Sequence, residues 1–160
     1  MTMAVTIIRR LKHYFITKTH HHELRRYVIF KGLSNFELHL LHNYLHRRQF
    51  KAGDTVFEKE YPLEAVFFVE KGELEVCGKF SSGGRTVLKR NQFIGIIDLF
   101  YENTRSSSAK ALTDLTVLAL SRNDFWDLVT KNKALGIKLL TACCHFLSRH
   151  IATLVSEPEQ

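Results

Sequence analysis

The chemistry of this 160-residue chain concentrates between Phe93 and Ala111, in the stretch FIGIIDLFYENTRSSSAKA. Gly95 opens it and an apolar segment follows. After a short polar loop, Arg105 stands directly before Ser106, Ser107 and Ser108. A guanidinium is a fixed cation with a planar fork of donors, and neighbouring hydroxyls and backbone N–H groups add short ones. That set suits one small anion, such as a phosphate held singly, better than a long polyanion. Taken alone, the same residues also make an ordinary surface Arg in a Ser-rich turn, so the surrounding elements have to decide.

Other constellations carry less. No Ser/His/Asp set with a plausible elbow, no pair of catalytic carboxylates and no Walker-type loop is present, so an enzyme is not expected. His20, His21 and His22 are consecutive, and their side chains diverge. His39, His42 and His46 follow at i, i+3 and i+7 on an expected helix, where His42 and His46 have zinc-compatible spacing but a solvated face is the plainer reading. Cys77, Cys143 and Cys144 form neither metal-ligand spacing nor an even disulfide framework, which points to a reducing cytoplasm and no metal cofactor. No apolar run approaches the ~20 residues of a membrane span.

The formal net charge of +7 lies entirely in the first third. Residues 1–50 hold nine Lys and Arg against two acids, and residues 51–160 hold fourteen of each. Such asymmetry argues against the whole chain being a nucleic-acid binder. Contact between the basic N-terminal segment and an anionic membrane surface is less favoured than docking of its helices on the rest of the chain.

The elements that must position Arg105 read as helix, strands, helix. Ile7, Ile8, Leu11 and Phe15 have helical spacing, and Leu24, Tyr27 and Val28 resume it. Ser34-Asn-Phe-Glu37 is a capping box, and the helix it starts is expected to carry Phe36, Leu40, Leu41, Tyr44 and Leu45 to about His46. From Lys51 the period changes. Thr55–Phe57, Ala65–Val69, Glu73–Cys77, Arg85–Leu88 and Leu115–Leu120 read as strands, with Ser81–Gly84 as a hairpin tip. Asn123 can cap a closing helical region. After Asn132 a longer helix places Ile137, Leu140, Cys144, Leu147, Ile151 and Leu154 at alternating steps of 3 and 4, a short heptad seam that suits a dimer or packing on the same chain. The fold class expected is mostly β with flanking helices: a jelly-roll-like β-roll over about 51–121, N-terminal helices before it and a C-terminal helix pair over about 123–155. A basic helical segment, 1–32, precedes a domain over 33–155.

Lys51-Ala-Gly-Asp-Thr-Val-Phe-Glu-Lys-Glu, followed by Ala65-Val-Phe-Phe-Val-Glu-Lys-Gly72-Glu-Leu-Glu-Val76, resembles the opening of the cyclic nucleotide-binding domain family. That family includes catabolite-activator-type regulators, regulatory subunits of the cyclic-AMP-dependent kinase and gated ion channels. The resemblance runs from about Leu33 to Leu154, and Gly53, Gly72, Gly95 and Arg105 all fall in register with it. It implies a phosphate-binding cassette at residues 95–108. Gly95 would open a short helix whose backbone amides add to the anion site, Arg105 would bind the cyclic phosphate, and Ser106 and Ser107 would support it. The family's Glu for the ribose 2′-hydroxyl is replaced by Ile96. An Ile accepts no hydrogen bond, a loss of roughly 1–3 kcal/mol, or about five- to a hundred-fold in affinity. Asp98 lies two residues on, off the helix face that Ile96 occupies.

Two functions follow from the resemblance. One is a regulatory sensor that takes cyclic AMP or cyclic GMP through Arg105 and signals to a partner protein. The other is a fold whose pocket has lapsed and which serves as an interaction or dimerisation module. The chain ends at Gln160 with no helix-turn-helix after its long helix, so DNA binding is not expected.

Overall fold

The computed structural model describes residues 23–78, 84–101 and 104–156. The expected helix over 5–16, the consecutive histidines and the Ser81–Gly83 part of the hairpin tip lie outside them. Among the described residues, eight antiparallel strands form two four-stranded sheets. One has the order β1 (Leu45–Phe50), β8 (Leu115–Ser121), β3 (Ala65–Lys71), β6 (Phe93–Ile94). The other has the order β2 (Thr55–Phe57), β7 (Ser107–Ala111), β4 (Leu74–Gly78), β5 (Arg85–Leu88). A 3-10 turn at Val28–Phe30 and helix α1 (Asn35–His42) precede the roll. The short helix α2 (Ile96–Phe100) interrupts it, and α3 (Arg122–Lys131) and α4 (Lys133–Ser156) close the chain. This is the mostly β roll with flanking helices that the strand pattern predicts.

Strand β3 explains the layering. Its side chains alternate between two buried faces, as a strand packed on both sides requires. Ala65, Phe67 and Val69 point between the sheets, where they meet Leu74, Val76, Ala109, Ala111, Leu115, Val117 and Ala119. Val66 and Phe68 point the other way, into a core shared with the helices through Leu24, Tyr27, Phe30, Leu38, Leu41, Phe125, Leu135 and Leu139. Tyr27 and Phe30, at the end of the basic segment, are therefore core residues. The Tyr27 hydroxyl donates to the Val69 carbonyl at 2.9 Å, and its ring meets Phe68 edge-on at 5.1 Å.

The structure corrects three expectations. The capping box forms as read, with the Glu37 N–H donating to Ser34 Oγ at 3.3 Å and the Ser34 N–H donating to Glu37 Oε2 at 2.7 Å. The helix nevertheless stops at His42, and Leu45–Phe50 is the edge strand β1, paired with β8 from Leu45↔Leu120 to Phe50↔Leu115. Six ladder positions along β8 outweigh one more helical turn. Phe36 is 69% exposed instead of packed, and His46, now on a strand, cannot act as a helical i+4 partner of His42. The roll thus begins at Leu45 rather than Lys51. Finally, the cap of α3 is Ser121, whose Oγ accepts from the Asp124 N–H at 3.0 Å, and not Asn123.

Candidate functional site

Gly95 sits between β6 and α2 with φ +106°, a left-handed conformation that glycine adopts without steric penalty. Its missing side chain makes room for Arg105. A Cβ there would stand 2.9 Å from Arg105 Nη1 and 3.3 Å from the Val66 Cα. Arg105 is also fixed through its backbone. Its N–H donates to the Tyr61 carbonyl at 2.8 Å, its carbonyl accepts from the Glu60 N–H at 2.8 Å, and Thr104 bridges to Pro62.

The Arg105 side chain runs inward and is 2% exposed. Nη2 donates to the Ala65 carbonyl at 2.6 Å, and the guanidinium carbon lies 3.8 Å from the Phe57 ring centroid and 5.2 Å from that of Phe67. Among the described residues neither Nε nor Nη1 has a hydrogen-bond partner, and no carboxylate forms an ion pair with it. Burial lowers its pKa to about 10, while the more distant charges of Asp98 and Glu64 work to raise it. Arg105 therefore stays a cation at neutral pH. A buried ion without a close counter-charge carries a desolvation penalty of several kcal/mol, which a stacked ring and one carbonyl offset only in part.

Beside Gly95 a cavity of about 310 Å³ opens between the roll and the last helix. Val76, Thr86 and Leu88 line it from one sheet, and Phe93, Ile94, Gly95, Ile96, Ile97 and Asp98 from β6 and α2. Ser106 and Ser107 line it from the approach to β7, and Phe146 and His150 from α4. Gly95, Ile96, Ser106 and Ser107 thus share one wall. Arg105 does not line this cavity; it lies behind Gly95 and borders a separate hollow of about 230 Å³ with Phe57, Tyr61 and Glu64. Ile96 is 2% exposed and belongs as much to the core around Leu99 and Leu120 as to the cavity.

Two cavity residues were underrated or missed in the sequence. Asp98 shares the cavity with Ile96 because the cavity wraps around a helix of only five residues. Its side chain is 3% exposed, and Oδ1 accepts from Ser106 Oγ at 2.6 Å and from the Ser106 N–H at 3.3 Å. His150 enters from α4 with a buried Nε2 that has no partner among the described residues, its ring parallel to Phe146 at 6.2 Å; Phe146 in turn meets Phe93 at 4.8 Å. The signal for His150 is the inward face of α4, on which Leu135, Leu139, Cys143, Phe146 and His150 recur every three or four residues. The heptad seam occupies another face. Ile137 and Ile151 are 66% and 59% exposed, Cys144 is exposed, and Leu140 and Leu147 lean half-buried on the core. The side chain of Leu154 lies outside the described part.

The model of the cyclic nucleotide-binding domain matches residues 47–132, which holds most of the roll, α2 and Arg105. The chain belongs to the cyclic nucleotide-binding domain family. It is 28% identical over 119 residues, 74% of its length, to the cGMP-dependent protein kinase egl-4 of Caenorhabditis briggsae, and covers 15% of that kinase. With the cyclic AMP receptor protein of Thermus thermophilus it shares 28% identity over 64% of its length, covering 49% of that protein. The chain thus spans half or less of the curated relatives it matches. A cyclic nucleotide-binding domain from Methylobacillus flagellatus superposes with a TM-score of 0.74 at 18% identity, covering 89% of this chain and 86% of that one. The Thermus thermophilus catabolite activator protein superposes with a TM-score of 0.64 at 26% identity, covering 79% and 61%. No helix among the described residues of this family member is long and apolar enough to cross a membrane.

Because Gly95 and Arg105 occupy adjoining space, their substitutions should be coupled. Gly95→Ala forces a side chain into a left-handed position, at about 1–2 kcal/mol, and also onto the guanidinium. In an Arg105→Ala background only the backbone part remains. Thermal unfolding of the two single variants and the double variant should show a sub-additive loss; strictly additive losses would mean that the two residues do not compete for space.

Proposed function

We propose that this chain is a regulatory sensor that binds a cyclic nucleotide, cyclic AMP or cyclic GMP, in the cavity between the roll and α4. The observation that carries the reading is Arg105: a buried cation, without an ion pair among the described residues and with two unpartnered donors, next to the wall formed by Gly95, Ser106 and Ser107. A cyclic phosphate against the Ser106–Ser107 wall supplies the missing charge, and its acceptors reach Arg105 when that side chain, which lies behind Gly95, turns toward the cavity; the apolar remainder of the cavity suits a base and sugar carbons. Ile96 leaves the ribose hydroxyl unpaired, so the affinity is lower than a Glu at that position would give. The free thiols of Cys77, Cys143 and Cys144 suit a reducing, cytoplasmic setting.

Phe146 and His150 give occupancy a route to the surface. A ligand that touches them favours one placement of α4 over another, which is a population shift that a partner protein can read. The exposed residues Ile137, Cys144 and Ile151 are the surface on which that partner, or a second copy of the chain, would act.

Titration calorimetry with cyclic AMP and cyclic GMP tests the ligand. Saturable binding that Arg105→Ala removes is expected; no heat at millimolar nucleotide with folded protein overturns the reading. For the seam, Ile151→Glu should shift the sedimentation of the chain toward the monomer. An unchanged distribution would remove the homodimer and leave the surface to another protein. Leu147 is a poorer probe, because it also packs inward.

A further inference from the structure

The carboxylate of Asp98 is already where an anion is wanted. Ser106 presents two donors to the cavity, its hydroxyl and its N–H, and both point at Asp98 Oδ1, at 2.6 and 3.3 Å. Asp98 is 3% exposed, sits in the cavity wall next to Ile97, and contributes the leading charge that favours the protonated form of the buried Arg105. Hydrogen bonds to Ser106 and charge compensation of Arg105 are what a ligand phosphate would provide. One side chain of the protein provides a weaker version of both.

We infer that Asp98 is the specificity-determining residue of this cavity, an internal carboxylate that a ligand phosphate has to displace from Ser106. The inference rests on the cyclic nucleotide reading above and sharpens it. Two anions cannot share the Ser106 donors in a cavity walled by Val76, Leu88, Phe93 and Ile97, where the charges are screened little. The phosphate therefore enters only if the carboxylate turns away, and the affinity of the site is set by that exchange as well as by the Ile96 substitution. The same residue keeps the empty site intact, since without it Arg105 loses its leading counter-charge. Asp98 thus holds the pocket closed to low concentrations of free phosphates and lets it respond only to a ligand with enough additional contact to the apolar wall.

Asp98→Asn tests this with little change of shape. It removes the charge and keeps an acceptor for Ser106. Calorimetry should show cyclic AMP or cyclic GMP binding at least tenfold tighter to Asp98→Asn than to the parent chain. Without nucleotide the variant should melt lower than the parent, and its melting temperature should rise more on adding nucleotide. Asp98→Ala, which also frees the Ser106 donors, should bind at least as tightly as Asp98→Asn, and its gain should shrink in a Ser106→Ala background. Binding that is equal or weaker in both Asp98 variants, with the parent binding nucleotide, overturns the role of Asp98 and leaves the nucleotide reading standing. Binding seen only in the Asp98 variants supports the role of Asp98 as the residue that keeps a phosphate out, and overturns the nucleotide reading for the parent chain. No binding in folded parent and folded variants overturns both. If Asp98→Ala does not fold, Asp98→Asn alone decides.

Discussion

The structure depends on a cation that has been put where cations are expensive. Arg105 lies under Gly95, between Phe57 and the Ala65 carbonyl, with two of its donors unused. Several elements exist in their observed form because of it. The glycine between β6 and α2 has to be a glycine, since a Cβ would meet Nη1. The segment from Glu60 to Pro62 pairs with Thr104 and Arg105, fixing the backbone from which the side chain enters the roll. Asp98, at the far side of α2, supplies charge without contact. Arg105 is thus held on its backbone side and keeps two donor atoms without partners among the described residues.

Responsiveness also needs a mobile reporter, and the packing suggests which one. The walls contributed by β4, β5 and β7 are sheet, held by continuous ladders. Among the described residues, Phe146 and His150 are the cavity residues contributed by α4, on a helix whose outer face exposes Ile137 and Ile151. Helix α4 rests on the 3-10 turn and α3, with Leu135, Leu139 and Cys143 in the core they share. An occupant that pushes on Phe146 and His150 therefore acts on the part of α4 beyond these anchors, and the exposed residues Ile151 and Val155 lie there.

The sequence was legible where one physical pattern acted alone. Strand β3 is an unbroken apolar run and β4 carries its alternation openly, the Ser34–Glu37 box forms as written, and the ten-residue step from Gly95 to Arg105 places both around one site. It was illegible where two patterns competed. Leu40, Leu41, Tyr44 and Leu45 continue a helical spacing, and Leu45–Phe50 has charged residues at the positions an edge strand turns to solvent, so nothing local marked β1. Strand β7 begins in Ser107 and Ser108, which read as loop until β4 is present to pair with them. The Asp98–Ser106 contact joins residues eight apart through the turn geometry of α2, and His150 reaches the cavity across the whole domain. The contact does not follow from spacing, and spacing puts His150 on the inward face of α4 without showing what that face meets.

Everything proposed for the cavity requires that the donors of Arg105 unpartnered among the described residues meet the phosphate of a cyclic nucleotide. The Nε–H resonance of Arg105, assigned by its loss in Arg105→Lys, reports on that donor directly. On titration with cyclic AMP or cyclic GMP it should move downfield and exchange more slowly with water, together with the amide of Ser106. An Nε–H resonance that stays fixed while cavity signals from Phe146 and His150 shift would contradict the claim, because the ligand would then be held by the apolar wall with Arg105 left as a structural residue.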